Sequence, residues 1–398
     1  MIRWVLSVVV PVAAFAAEGG LDGRVIEVTG GKQTSVDAPL VLSYDGPDVS
    51  GAVSVEQSDT GKQYPAAARA REFVFVPEGT LPGKTHRYTI KVNAAKRSPN
   101  VALTKHEGED VIDINLAGEL FTAYHYSNDN KKPFLWPVNA EGGQTITRDW
   151  PMGEKDVTDD HKHHVSLWTS YGDVNGVDCW AEEENSGYQH SGDVQFGSGD
   201  AYGWIAAKNV WQDKDHKPVV TEEREYRFYS GEPSARLMDV AVTFRADYGD
   251  VKFGDTKEGG LVSVRMADAL REQTGGGKVT TSEGVTGSLA AWGKPAAWCD
   301  YSGTLEGLGV RGITVFDNPS NLRYPTSWHV RNYGLMGANC FGYSHFTNGK
   351  QHGDYLLEKG KSVTYRYRVF VHSGDTTEAK VSDRFADYAT PPSARWVE

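Results

Sequence analysis

The chain has 398 residues, of which 39% are hydrophobic, 24% charged and 11% aromatic. That is enough for a packed core, too much for one small module, and unlike a disordered chain. With 53 acidic against 41 basic side chains the net charge is −12, and no Lys/Arg-rich block interrupts it, so nucleic acid is not an expected partner.

Met1 to Arg3 form a short positive start, Trp4 to Ala14 an apolar stretch, and Ala14-Phe15-Ala16 a cleavage pattern. Residues 1–16 therefore read as a secretory signal peptide, with an exported, periplasmic or secreted product starting near Ala17. Elsewhere no apolar run approaches the ~18 residues that cross a bilayer, so no membrane span is expected. Cys179, Cys299 and Cys340 match no metal or redox spacing and read as small buried hydrophobes, with at most one disulfide among them.

From Gly23 to Asn93 short β-rich runs alternate with turn residues: Arg24 to Val28, Arg71 to Val76 and Thr85 to Val92. In the last of these His86, Tyr88, Ile90 and Val92 share one face. The pattern predicts an immunoglobulin-like accessory domain over residues 17–110, with Ala94 to Asp110 as its linker. Longer alternating runs follow at Ile112 to Leu116, Met238 to Phe244 and Val363 to Val371. They predict antiparallel sheets with one buried and one wetter face, hence a large all-β sandwich over residues 111–398. Helical spacing appears only near Thr376 to Ala389.

Upstream of the densest polar cluster, Arg148 in Thr147-Arg148-Asp149-Trp150 is a candidate for holding substrate oxygens. The cluster itself is Asp159-Asp160-His161-Lys162-His163-His164, followed by Trp168 and by Gly172-Asp173-Val174-Asn175-Gly176-Val177-Asp178-Cys179-Trp180. If the first run is extended, His161 and His163 point to one side about 7 Å apart and His164 to the other. Two such imidazoles can share a divalent metal or do acid–base work near neutral pH; a solvated loop is the plain alternative. The Asn175-Gly176 pair is a hairpin signal. Asp173 and Asp178 beside tryptophans also suit a sugar, because carboxylates accept from hydroxyls while the apolar sugar face stacks on an indole.

Arg265 stands opposite Val262, Val264 and Met266 on a strand and is a candidate like Arg148. A second constellation is Pro325-Thr326-Ser327-Trp328-His329-Val330-Arg331-Asn332-Tyr333. On a strand Trp328, Val330 and Asn332 share one face, and His329, Arg331 and Tyr333 the other, a poor core and a good site wall. Asn339 and His345 follow closely enough to line the same cleft. No elbow-type serine motif, phosphate loop, dinucleotide fingerprint or H-E-x-x-H is present.

The strings DHKHHVSLWTSYGDVNGVDCW (160–180), FDNPSNLRYPTSWHVRNYGLMGAN (316–339) and YRYRVFVHSGD (365–375) resemble an uncharacterised exported bacterial family labelled "methane oxygenase PmoA-like". The resemblance covers the chain from Val111 onward. It implies a galactose-mutarotase-like supersandwich and a setting in sugar degradation, but no catalytic set. The label itself fits poorly, because the methane monooxygenase subunit it borrows from is a membrane protein. Cys179 and Cys340 stand where that family has an aromatic residue and a proline.

Two functions are expected from these readings. One is an exported carbohydrate-active enzyme for a glycoside or an oxidised (keto) sugar: a hydrolase, lyase or hydratase, or epimerase. In it His163 or His329 is the acid and Asp173 or Asp178 the base, while Arg148, Arg265 and Arg331 hold developing charge. Trp168, Trp180, Trp328, Tyr333, Asn175, Asn339 and His345 would touch the sugar, and His161 with His163 would hold any metal. The other is a non-catalytic glycan-binding or scaffold protein.

Overall fold

A computed structural model describes residues 20–49, 52–93, 98–156 and 158–397; the signal-peptide reading falls outside them. Strand accounts for 47% of the chain and helix for 6%, so the molecule is all-β.

The N-terminal sheet has seven antiparallel strands in the order Leu40–Ser43, Glu72–Phe75, Gln63–Arg69, Ala52–Gln57, Thr85–Asn93, Val25–Thr29, Ser393–Val397. Its buried face carries Ile26, Val28, Val55, Phe73, Phe75, Tyr88 and Ile90, which is the alternation read at Tyr88 and Ile90. The sheet rolls until its two edge strands meet: Trp396 Nε1 donates to Ser43 O at 2.8 Å, and its ring lies 5.4 Å from Phe73.

Two boundaries shift from the sequence reading. Within the supposed linker, Val101–Lys105 is a strand that pairs with Val111–Leu116 of the next sheet. At the other end, Ser393–Val397 leaves the large sandwich and pairs with Val25–Thr29. A linker reading of residues 94–110 missed the first because its one alternating run is short. The second is a pairing across the whole chain, which local pattern cannot show.

The rest is two eight-stranded antiparallel sheets and a two-stranded one, Val251–Phe253 with Tyr355–Leu357. The first, the site sheet, runs Trp328–Val330, Leu335–Ala338, Gly259–Arg265, Leu167–Tyr171, Phe134–Val138, Glu119–His125, Val111–Leu116, Val101–Lys105. The second runs Tyr188–Gly197, Tyr202–Gln212, Pro218–Tyr229, Ala235–Arg245, Ser362–Ser373, Gly309–Asp317, Trp298–Leu305, Gly277–Thr281. Between them lies one continuous core, with Tyr124, Leu135, Leu167, Val264, Met336 and Val330 from the site sheet meeting Met238, Val240, Val242, Val315 and Val369. Each such side chain contributes roughly 1.5–3 kcal/mol by leaving water. The one regular helix of more than a turn, among the described residues, is Val381–Ala389, shorter than the span read from Thr376. No helix there is long and apolar enough to cross a membrane.

Candidate functional site

Because side chains alternate along a strand, filling the core with one set turns the other set outward. On the site sheet the outward set forms a row of cross-strand neighbours: His125 beside Phe134, Phe134 beside Trp168, Trp168 beside Ser263, Ser263 beside Gly337, and Gly337 beside His329. The two small residues leave a trough between Trp168 and His329. Trp180 spans it, 5.3 Å from Trp168 and 6.1 Å from His329, ring centre to ring centre.

The histidine-rich segment caps this trough as a turn, not as a strand. His164 N donates to His161 O at 2.9 Å, and His161 sits at φ +44°. The three imidazoles therefore cluster instead of splitting to two sides, with His161 stacked 4.9 Å from His164 and His163 4.5 Å from His164 edge-on. His161 also stacks on Tyr333 at 5.0 Å. The two distant segments singled out from the sequence thus share one place.

The loop is held by two fully buried arginines. Arg148 donates to Thr158 O at 2.7 Å, His161 O at 3.2 Å and Asp160 Oδ1 at 3.1 Å. Arg265 donates to the same Asp160 oxygen at 2.6 Å and to His164 Nδ1 at 3.0 Å. Since a guanidinium can only donate, His164 Nδ1 is an acceptor and its other nitrogen carries the hydrogen. Both arginines were expected to hold substrate; buried, with their terminal N–H groups on the loop and each Nε without a partner, they position the loop instead. Asp160 sits in the open within the sequence cluster, yet its role depends on two distant arginines.

Burial sets the charges. It pushes His163 down to about 3, with the charges of Lys132 and His161 adding to the effect. It holds His164 and His329 well below the usual imidazole value, the latter helped by Arg331 and Lys257. All three are neutral at pH 7. Burial alone would raise the Asp160 carboxyl, but the charge and hydrogen bond of Arg265, with Arg148, outweigh it and hold it low.

His329 is 1% exposed, and neither ring nitrogen makes a hydrogen bond of good geometry, although the Lys257 backbone lies near enough to favour its protonated form. Its ring packs between Trp180 and Trp292, the latter 5.0 Å away edge-on. The centre of the Arg331 guanidinium lies over Trp292, 3.5 Å from the ring centre. Trp168 Nε1 and Trp180 Nε1 are likewise buried without partners. Trp292 was not singled out from the sequence, and nothing in its neighbourhood of small residues signals it.

Other expected site residues do different work. Asp173 Oδ1 accepts from Gly176 N at 2.9 Å, and Asp178 Oδ1 from Trp180 N at 2.8 Å and Ala181 N. These are turn caps; the carboxylate beside the histidines is Asp160. Asn175 bonds Asp250 O and Lys252 N, and Asn339 fastens Thr256, Lys257, Phe341 and Gly342. Trp328 is buried in the main core with its Nε1 on Ala296 O. His345 is exposed, close enough for its charge to act on His329. The metal reading of His161 and His163 lacks a ligand set: among the described residues no three His, Cys, Asp or Glu groups converge as an ion would need. The three cysteines are free and buried.

Residues 111–386 match the family described as "Family of unknown function (DUF6807)". The chain belongs to this family. The family segment contains every residue of the site from His125 to His345, while the N-terminal sheet lies outside it. No curated protein matches the chain.

Proposed function

We propose that this DUF6807 protein is an exported carbohydrate-active enzyme that acts on an oxidised sugar by removing a proton from carbon beside a carbonyl. The observation that carries the reading is His329: a neutral imidazole, buried between two indoles, with neither nitrogen in a hydrogen bond of good geometry. A buried polar group without a partner costs about 1–3 kcal/mol, which a ligand that bonds it would recover.

The charge states favour some reactions over others. A lowered pKa leaves the imidazole unprotonated at pH 7, able to accept a proton and not to give one up as imidazolium, which reverses the acid role expected of His163 and His329. Burial raises the Tyr333 hydroxyl, opposed by Arg331 and Arg265, so it stays protonated and is the donor to the carbonyl oxygen. The base takes the proton, the C–H electrons move into the enolate, and their return breaks the bond to the glycosidic oxygen, which leaves as a hydroxyl with the proton the base returns. Glycoside hydrolysis uses two carboxylates facing the bond; here Asp160 is tied to two arginines, Glu182 to Lys132 and Glu258 to Lys257. A lyase or epimerase of an oxidised sugar therefore fits better than a hydrolase. The paired eight-stranded sheets are in keeping with the supersandwich of sugar enzymes that the resemblance implies.

A purely glycan-binding protein displays its rings, whereas Trp168 and Trp180 are 0% and 1% exposed. The test is incubation of the purified protein with native, keto and acidic glycosides, with and without chelator, followed by mass spectrometry. Products from oxidised sugars alone are expected; no product from any of them sinks the enzyme reading.

A further inference from the structure

The cations around the trough do not cancel. Lys132 and Lys257 each have a carboxylate, and Arg148 and Arg265 share one. Arg331 has none within salt-bridge distance among the described residues, although it is half-buried. The centre of its guanidinium lies over Trp292, 3.5 Å from the ring centre, two residues from His329. Part of its N–H edge reaches the Tyr333 hydroxyl, but no carboxylate matches the guanidinium, whose remaining N–H groups suit one bidentately. In a chain of net charge −12 such a surplus is local: it selects an anion at short range and does not gather anions from afar.

We infer that the substrate carries a carboxylate, as a uronide does, and that Arg331 receives it beside His329. This rests on the carbohydrate reading above and narrows its substrate class. A carboxylate bound there would also supply the carbonyl beside which the proton is removed, and neutralising it makes that proton easier to remove. The indole of Trp292 holds the guanidinium in place, so the group is positioned before the ligand arrives.

The experiment is calorimetric titration of the full chain with oligogalacturonate and with the matching neutral galactan oligosaccharide, for wild type, Arg331→Gln and Arg331→Lys. Thermal melts confirm folding of each variant. Wild type should bind the uronide at least tenfold more tightly. Arg331→Gln should bind the two sugars within threefold of each other, losing that preference, and Arg331→Lys should recover part of it. Equal binding of the two sugars, or a preference that survives Arg331→Gln, overturns the carboxylate inference and leaves the carbohydrate reading standing. Absence of binding to both sugars overturns both.

Discussion

Trp180 and His329 lie 6.1 Å apart with their planes 25° from parallel, although they belong to segments far apart in the chain. Two hydrogen-bonded strands bearing Ser263 and Gly337 separate His329 from Trp168, and the indole of Trp180 roofs the gap those small residues leave. Its position is set by Asp178, which caps the Trp180 N–H, and by Lys132, which reaches its carbonyl at 3.3 Å. A turn cap thus decides where an aromatic wall stands.

Because the His329 nitrogens hold no well-formed bond, replacing the ring with a side chain of similar volume removes little stability. His329→Leu is expected to melt within a few degrees of wild type. Loss of a general base costs on the order of 10²–10⁴ in turnover, so product formation from an oxidised sugar should fall by that factor. A variant that keeps its turnover would remove His329 from the mechanism.

His163 gives a pH prediction. Its folded pKa, about 3, lies below the unfolded value near 6.5. Between those values the unfolded chain holds the extra proton, so stability is complete above about pH 6.5 and declines as the pH falls through that window. His163→Gln removes one such group. Urea unfolding at pH 7 and pH 5 should show a smaller loss on acidification in the variant, by at most about 2 kcal/mol because the ring is only partly buried. An identical loss in both proteins would mean that His163 titrates normally in the fold.

Asp160 joins Arg148 and Arg265 through a single oxygen, while its own side chain is 39% exposed. Asp160→Ala would leave two buried guanidinium groups without their anion. The expected cost is about 2–3 kcal/mol, less than for a wholly buried pair because water reaches the carboxylate. Denaturant titration should record that loss, and hydrogen exchange should quicken across residues 158–165. Wild-type exchange there would show that backbone contacts alone hold the loop.

Much of this was readable in the sequence where one local pattern decides. The alternation at Val363 to Val371 gave a strand because its apolar residues fill one face of a two-sided sheet. The same reasoning put Val330 in the core and His329 on the opposite face, but the strand ends at Val330 and the chain turns, so Asn332 is exposed instead of sharing the core face. What stayed hidden depends on register between distant strands. The neighbours of Trp168 are a serine and a glycine, and no local rule says which strand supplies them. Asp173 and Asp178 misled because a carboxylate that caps a turn and one that meets a substrate have the same composition. Only their hydrogen bonds tell them apart.

The last strand offers a test of how far the two parts of the molecule depend on each other. Trp396 closes the rolled N-terminal sheet, packing 5.4 Å from Phe73 and 6.4 Å from Tyr44 beneath the guanidinium of Arg24. Trp396→Ala removes a half-buried indole and its bond to Ser43, which should cost about 2–3 kcal/mol, below the range for a fully buried tryptophan. The site sheet shares neither that core nor that edge. Hydrogen exchange should therefore rise over residues 25–93 and stay unchanged over residues 259–338, with turnover within twofold of wild type. Exchange rising equally in both regions would mean that the N-terminal sheet and the site sheet unfold as one unit.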